Sequence, residues 1–133
     1  MLGKNTVCTI GAPISANRMY VFSPTKGVFK SKKYRTWIET NLPLIQADMR
    51  PAEVFPVDID IVIVQGRDWG PHCDPDNANK PIMDLMVRAG VLPDDSGKYV
   101  NKVHVRYMPF TSRGEAVTRI AYAEPDPEPE LET

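Results

Sequence analysis

The chain has 133 residues, 42% hydrophobic and 25% charged, with a formal net charge of −1. That is enough for one domain with a real core and too little for two, and the composition is globular rather than disordered. No apolar run approaches the roughly 20 residues of a membrane helix, and the first residues lack the layout of a secretory signal.

Cys8 and Cys73 show no ligand spacing and set up neither a disulfide framework nor a zinc cluster, which makes a reducing cytoplasm the expected compartment. The near-neutral total charge hides a division. Glu124, Asp126, Glu128, Glu130 and Glu132 take five of the 17 acidic residues, and none of the 16 basic ones lies beyond residue 123. Residues 1–123 are therefore net positive and read as the domain. Residues 124–133 alternate proline with acid and read as a disordered tail.

Along the chain, Thr6–Gly11 is β-branched and predicts a first strand. A Pro/Ser/Asn loop leads to a short apolar stretch at Met19–Phe22, and SPTKGVFKSKK follows as a turn-rich, basic connection. Tyr34, Trp37 and Ile38 fall at helical spacing and predict a helix over about 31–41. Pro43 should end or bend it, with LIQADM able to add a turn or two. Val57, Ile59, Ile61 and Ile63 alternate with Asp58, Asp60, Val62 and Val64, the pattern of a sheet strand covered on one side.

RDWGPHCDPD reads as a loop. NANKPIMDLMVRAG reads as a helix capped by Asp76 or Asn77, with Pro81 tolerable in the first turn only and Gly90 as the stop. KYVNKVHVRYMP and GEAVTRIAYA both alternate, are joined by FTSRG, and predict an antiparallel hairpin. The order implies a single α+β domain, a mixed β-sheet with two main helices packed on it.

Asp74, Asp76, Asp84, Asp94 and Asp95 crowd around Lys80 in one short segment. Taken singly they have ordinary explanations: Asp76 as a cap, Asp94 and Asp95 in a turn, Asp84 on a solvated helix face. The constellation asks for more. In an extended DPD the Asp74 and Asp76 side chains share a face. Asp76, Lys80 and Asp84 step by four along one helix stripe, and Gly90 and Pro93 turn the chain so that Asp94 or Asp95 could return to it. Like charges this close are destabilising unless a cation offsets them. Two or three carboxylates, with water and phosphate oxygens completing the shell, suit Mg²⁺, which activates water and stabilises the leaving oxygen in phosphodiester hydrolysis. Lys80 would neutralise charge at the scissile phosphate or orient the nucleophile.

DPDNANKPIMDLMVRAGVLPDD resembles the signature of the RusA-like Holliday-junction resolvases, D-x-D-N-x-x-K-x-x-x-D-x-L followed by D-D. PISANRMY near the start and VRYMP after the acidic turn are similar to that family more weakly, so the resemblance spans nearly all of residues 6–122. It implies a RusA-like fold and a homodimeric endonuclease, dependent on Mg²⁺ with Mn²⁺ substituting, that resolves four-way junction DNA by paired symmetric nicks. By the same resemblance, Asp74, Asp76, Lys80 and Asp95 are catalytic and Asp74, Asp76 and Asp95 hold the metal, with Asn77, Asp84 and Asp94 in support. A bacterial or phage-infected cell is the implied setting. The chain departs from the pattern where RDWGPHC, with Arg67 its one basic residue, replaces a basic run, and where Arg106 stands in place of a lysine.

For DNA contact, KGVFKSKKYR mixes basic and aromatic residues, and Lys30, Lys32, Lys33 and Arg35 are the expected phosphate grips, against the plainer reading of a solvated surface. Asn17 and Arg18 join them through the family match, and so do Arg67 and Arg106, which stand where the resemblance places basic residues. Trp69 is either a base-stacking aromatic or a core residue. His72, Cys73 and His104 match no common zinc spacing. Two rivals to the junction resolvase stand beside it: a catalytically idle DNA-binding relative, and a nuclease of flaps or single strands.

Overall fold

In a computed structural model, the described residues are 5–70, 73, 74, 76–108 and 114–125. The fold is the α+β domain expected. Its elements in chain order are β1 (Val7–Ile10), a single 3₁₀ turn (Ala16–Arg18), β2 (Tyr20–Ser23), β3 (Gly27–Lys30), α1 (Lys32–Asp48), β4 (Val57–Val64), α2 (Asp76–Arg88), β5 (Val100–Met108) and β6 (Val117–Ala123). A four-stranded mixed sheet runs β1-β6-β4-β5, and β2 and β3 form a separate two-stranded ribbon.

β4 is buried at Val57, Ile59, Ile61 and Ile63, the alternation read from its sequence. These side chains meet the helices: α1 packs on β1, α2 on β5, and the two helices touch. The α2 stripe of Ala78, Ile82, Leu85 and Met86 is fully enclosed, joined from α1 by Tyr34, Trp37 and Ile45. The opposite face of the sheet carries Asp58 and Asp60 of β4 beside Lys102, His104 and Arg106 of β5. Among the described residues, no helix is long and apolar enough to cross a membrane.

Two local expectations give way to the structure, and a third resolves between its alternatives, since α1 takes the longer course into LIQADM. β5 and β6 do not form a hairpin: β4 lies between them, parallel to β5 through the α2 crossover and antiparallel to β6. All three strands carry the same two-residue period, which fixes faces but not neighbours, and most of the joining FTSRG segment lies outside the described residues. The basic connection after Phe22 contains β3, whose four residues are too few for their alternation to stand out. α1 runs through Pro43 to Asp48, because Ile45 and Met49 beyond it are wholly buried. Their burial offsets the roughly 3 kcal/mol that an internal proline costs a helix.

The start of α2 also differs. Asp74, not Asp76 or Asn77, caps it: its Oδ1 accepts from the Asp76 N–H at 3.0 Å and its carbonyl from the Asn77 N–H at 3.1 Å. The Asp76 and Asn77 N–H groups thus turn back onto Asp74, which an extended strand would not allow, and Pro81 lies in the second turn. Gly90, at φ 82°, ends the helix as its sequence indicated.

Glu124, assigned by composition to the tail, is held in the domain. Arg50 Nη2 donates to its Oε1, and the Glu53 and Val54 N–H groups donate to its Oε2 at 3.0 and 2.7 Å. The rest of the expected tail from Asp126 onward lies outside the described residues. The Arg50 guanidinium first, then the two amides, hold the Glu124 carboxyl below the usual range. Its stabilisation is therefore complete above the ordinary glutamate pKa and is lost as pH falls through the depressed one. Glu124→Gln should lower the urea midpoint at neutral pH, with the gap to the parent closing in acid; a gap that stayed constant would contradict the assignment.

Candidate active site

The polar edge of α2 is set by its own period. Ala78, Ile82, Leu85 and Met86 turn inward, so Asp76, Lys80 and Asp84 remain on one outward stripe. Lys80 Nζ lies 3.1 Å from Asp84 Oδ1 and 3.8 Å from Asp95 Oδ2. The turn after α2 therefore does bring Asp95 back to the helix, across a lysine that both carboxylates face. Asp84 first, then Asp95, hold the Lys80 ammonium above its ordinary pKa, so it is cationic throughout the neutral range.

Two shallow clefts meet at this lysine. Asp76, Asn79, Lys80, Met83, Asp95 and Val103 line one; Tyr20, Lys30, Tyr34, Lys80, Asp84, Arg88, Asp94 and Asp95 are among the residues lining the other. A third cleft, of about 500 Å³, opens beside the α2 N-terminus, where Asp74 and Asn77 face Asn17, Arg18 and Lys33. The structure thus gathers Asp76, Lys80 and Asp95 in one place, with Asp74, occupied in capping, in the neighbouring cleft.

Asp76 and Asp95 offer carboxylate oxygens to a cleft that Asn79, Lys80, Met83 and Val103 also line. Asn79 Oδ1, in the same cleft, is buried without a hydrogen-bond partner. Among the described residues no three His, Cys, Asp or Glu side chains converge into a cage. An open, oxygen-only set of one or two carboxylates fits Mg²⁺, which keeps several waters and binds phosphate oxygens in its remaining positions.

Of the expected DNA contacts, Asn17, Arg18, Lys30 and Lys33 line these clefts. Lys32 and Arg35 are exposed in the first turn of α1. With Lys33 they set cations at a helix N-terminus, against its dipole. Ser31 ties that terminus to the 3₁₀ turn: its Oγ accepts from the Tyr34 N–H at 3.0 Å and donates to the Arg18 carbonyl at 2.6 Å.

The other three expected contacts are placed differently. Arg67 pairs with Glu115 at 3.2 Å. Arg106 stands on the far face of the sheet, 3.7 Å from Asp60, so it cannot reach the Asp76 cleft. Trp69 is only 5% exposed and donates its Nε1–H to Tyr107 Oη at 3.2 Å, which makes it a core residue rather than a stacking platform. His104 lies 3.6 Å from Asp60 on that far face, Cys73 is half-buried, and His72 lies outside the described residues.

Sequence reasoning missed Tyr107. Its hydroxyl accepts from Trp69 and donates to the carbonyl of Cys73, the residue immediately before Asp74. Burial first, then the nearby Cys73, Asp74 and Asp76, push its phenol above the ordinary value, partly offset by the Trp69 hydrogen bond, so it stays a donor. Its one visible signal was its inward place in the alternation of β5. Tyr34 was read only as a helix-face residue; burial, followed by Asp84 and Tyr20 and countered by Arg88, raises its phenol to about 12, beneath the Lys80 cleft. No protein-family model matches the chain, and no curated protein matches it.

Proposed function

We propose that the protein is a metal-dependent, structure-selective DNA endonuclease of the RusA-like kind, which resolves four-way junctions by paired nicks. One observation carries the reading: Lys80 stands between Asp84 and Asp95, with Asp76 in the same cleft and basic residues on the adjoining surface. A protein that only gripped DNA would gain nothing from carboxylates aimed at phosphate.

Asp76 and Asp95, with Asp74 at the helix start, are the residues that would hold Mg²⁺. When bound, the ion supplies an activated water and charge stabilisation at phosphorus. Lys80, permanently cationic, draws the scissile phosphate against the acids and offsets their mutual repulsion. Arg18, Lys30 and Lys33 hold the flanking phosphates, fixing register without reading sequence. A homodimer would present one such cleft to each of two opposing strands.

The test is to incubate the purified protein with Mg²⁺ and labelled four-way junction, duplex, flap and single-stranded DNA, and to map the cuts. The expected result is symmetric nicking of the junction, abolished by chelation, from a species of twice the chain mass in sedimentation. Failure to cut any of the four DNAs with Mg²⁺ or Mn²⁺ would remove the reading.

A further inference from the structure

The β2–β3 ribbon has apolar side chains that none of the described residues covers. Phe22 is 71% exposed and Val28 68%, paired directly across the ribbon. A solvated two-stranded ribbon of this kind has little stability of its own. This ribbon is anchored at its base, by the Ser31 N–H donating to the Met19 carbonyl at 2.9 Å and by an edge-on contact of Tyr20 with Tyr34 at 6.0 Å.

Register decides where the exposed pair points. Tyr20 pairs with Lys30 and Phe22 with Val28, so these four share one face. Tyr20 and Lys30 line the Lys80–Asp95 cleft. Phe22 and Val28 are thus the outward continuation of that cleft's wall, one pleat further from its floor.

Charge identifies the occupant. No Asp or Glu precedes Glu39 in the chain, whereas Arg18, Lys26, Lys30, Lys32, Lys33 and Arg35 lie in or beside the ribbon. A second copy seated here would oppose like charges; a polyanion would not. An apolar pair rimmed by cations matches DNA whose bases are accessible, where side chains such as Phe enter between base steps while Lys and Arg hold the phosphates.

We infer that the β2–β3 ribbon is a wedge that inserts Phe22 and Val28 between unstacked bases at the branch point, leaving the adjacent phosphate in the Lys80 cleft. This rests on the endonuclease reading. It adds selectivity to it, since a fully stacked duplex offers the wedge no opening without the cost of unstacking.

The experiment uses the full chain without divalent metal and a four-way junction with 2-aminopurine at the branch, following anisotropy and fluorescence together. The parent protein should raise the fluorescence several-fold on binding. Phe22→Ser/Val28→Ser, both on exposed positions, should abolish that rise and weaken junction affinity by roughly tenfold, with duplex affinity and circular dichroism unchanged. Binding with an undiminished fluorescence rise in the variant overturns the wedge and leaves the nuclease reading standing. A variant that becomes monomeric where the parent is dimeric also overturns the wedge, assigning the ribbon to a second copy. Absence of any DNA binding by the parent overturns both.

Discussion

Asp76→Asn is expected to slow junction cleavage by roughly 10³-fold, the equivalent of several kcal/mol of lost charge stabilisation, while junction affinity stays level or rises. Asn keeps the size of the side chain and its compatibility with the first helical turn, so the fold should not register the change. What disappears is an anionic oxygen in the Lys80 cleft, and with it a repulsion against incoming phosphate. Asp95→Asn should behave alike, since its carboxylate faces the same lysine. Asp74→Asn isolates the metal role from the capping role, because Asn caps as well as Asp, whereas Asp74→Ala should add about 1 kcal/mol of destabilisation. Lys80→Ala should lose rate at constant stability. Single-turnover cleavage beside equilibrium binding separates these outcomes, and full activity in Asp76→Asn would refute the assignment.

Gly66→Ala should cost about 3 kcal/mol, near the upper end for overpacking, and lower the melting temperature by roughly 10 °C. A methyl at Gly66 would stand 2.2 Å from the Ala116 nitrogen and 2.5 Å from the Glu115 carbonyl carbon. Both are backbone atoms of the segment leading into β6, which cannot swing aside as a side-chain tip would. Two links hold the segments together: the Arg67 N–H donates to the Gly114 carbonyl at 3.2 Å and the Ala116 N–H to Asp68 Oδ1 at 2.6 Å. Since the same loop carries Trp69, which bonds Tyr107, the displacement should also reduce cleavage. Gly97→Ala, with open space around the added carbon, is the matched control and should be near neutral in urea unfolding. Equal midpoints for the two variants would show that the close approach carries no strain.

What could be read from sequence was whatever a short period or a single backbone preference determines. β4 announced itself through isoleucine alternation, and the end of α2 through Gly90, whereas its start and the place of Pro81 in the second turn did not follow the sequence reading. That Asp94 or Asp95 returns toward Lys80 could be read from Gly90 and Pro93; that it is Asp95 whose carboxylate faces the lysine could not. What could not be read was pairing at a distance. The insertion of β4 between β5 and β6 depends on which apolar edges complement each other, and no local pattern encodes it. Glu124 looked like one more acid in a charged tail because its partners, Arg50 and two amides, are some 70 positions away. Tyr107 and Trp69 were ambiguous for the same reason: burial of an aromatic is decided by the fold around it, not by its neighbours in the chain.

The place of β6 between β1 and β4 has a consequence for the order in which the protein can assemble during synthesis. Val7 of β1 pairs with Ala121, so the first strand waits for almost the whole chain before its ladder can close. β4, α2 and β5 can meet earlier as a contiguous unit, but one edge of β4 then stays unpaired until β6 emerges. Contacts this distant in sequence form slowly, and an open, isoleucine-rich edge is an invitation to aggregation in the meantime. Ahead of Val62 and Val64, Asp58 and Asp60 interrupt the first half of that edge with charge on alternate residues. In the nascent chain they are gatekeepers, keeping soluble a strand that the finished sheet will bury on one face.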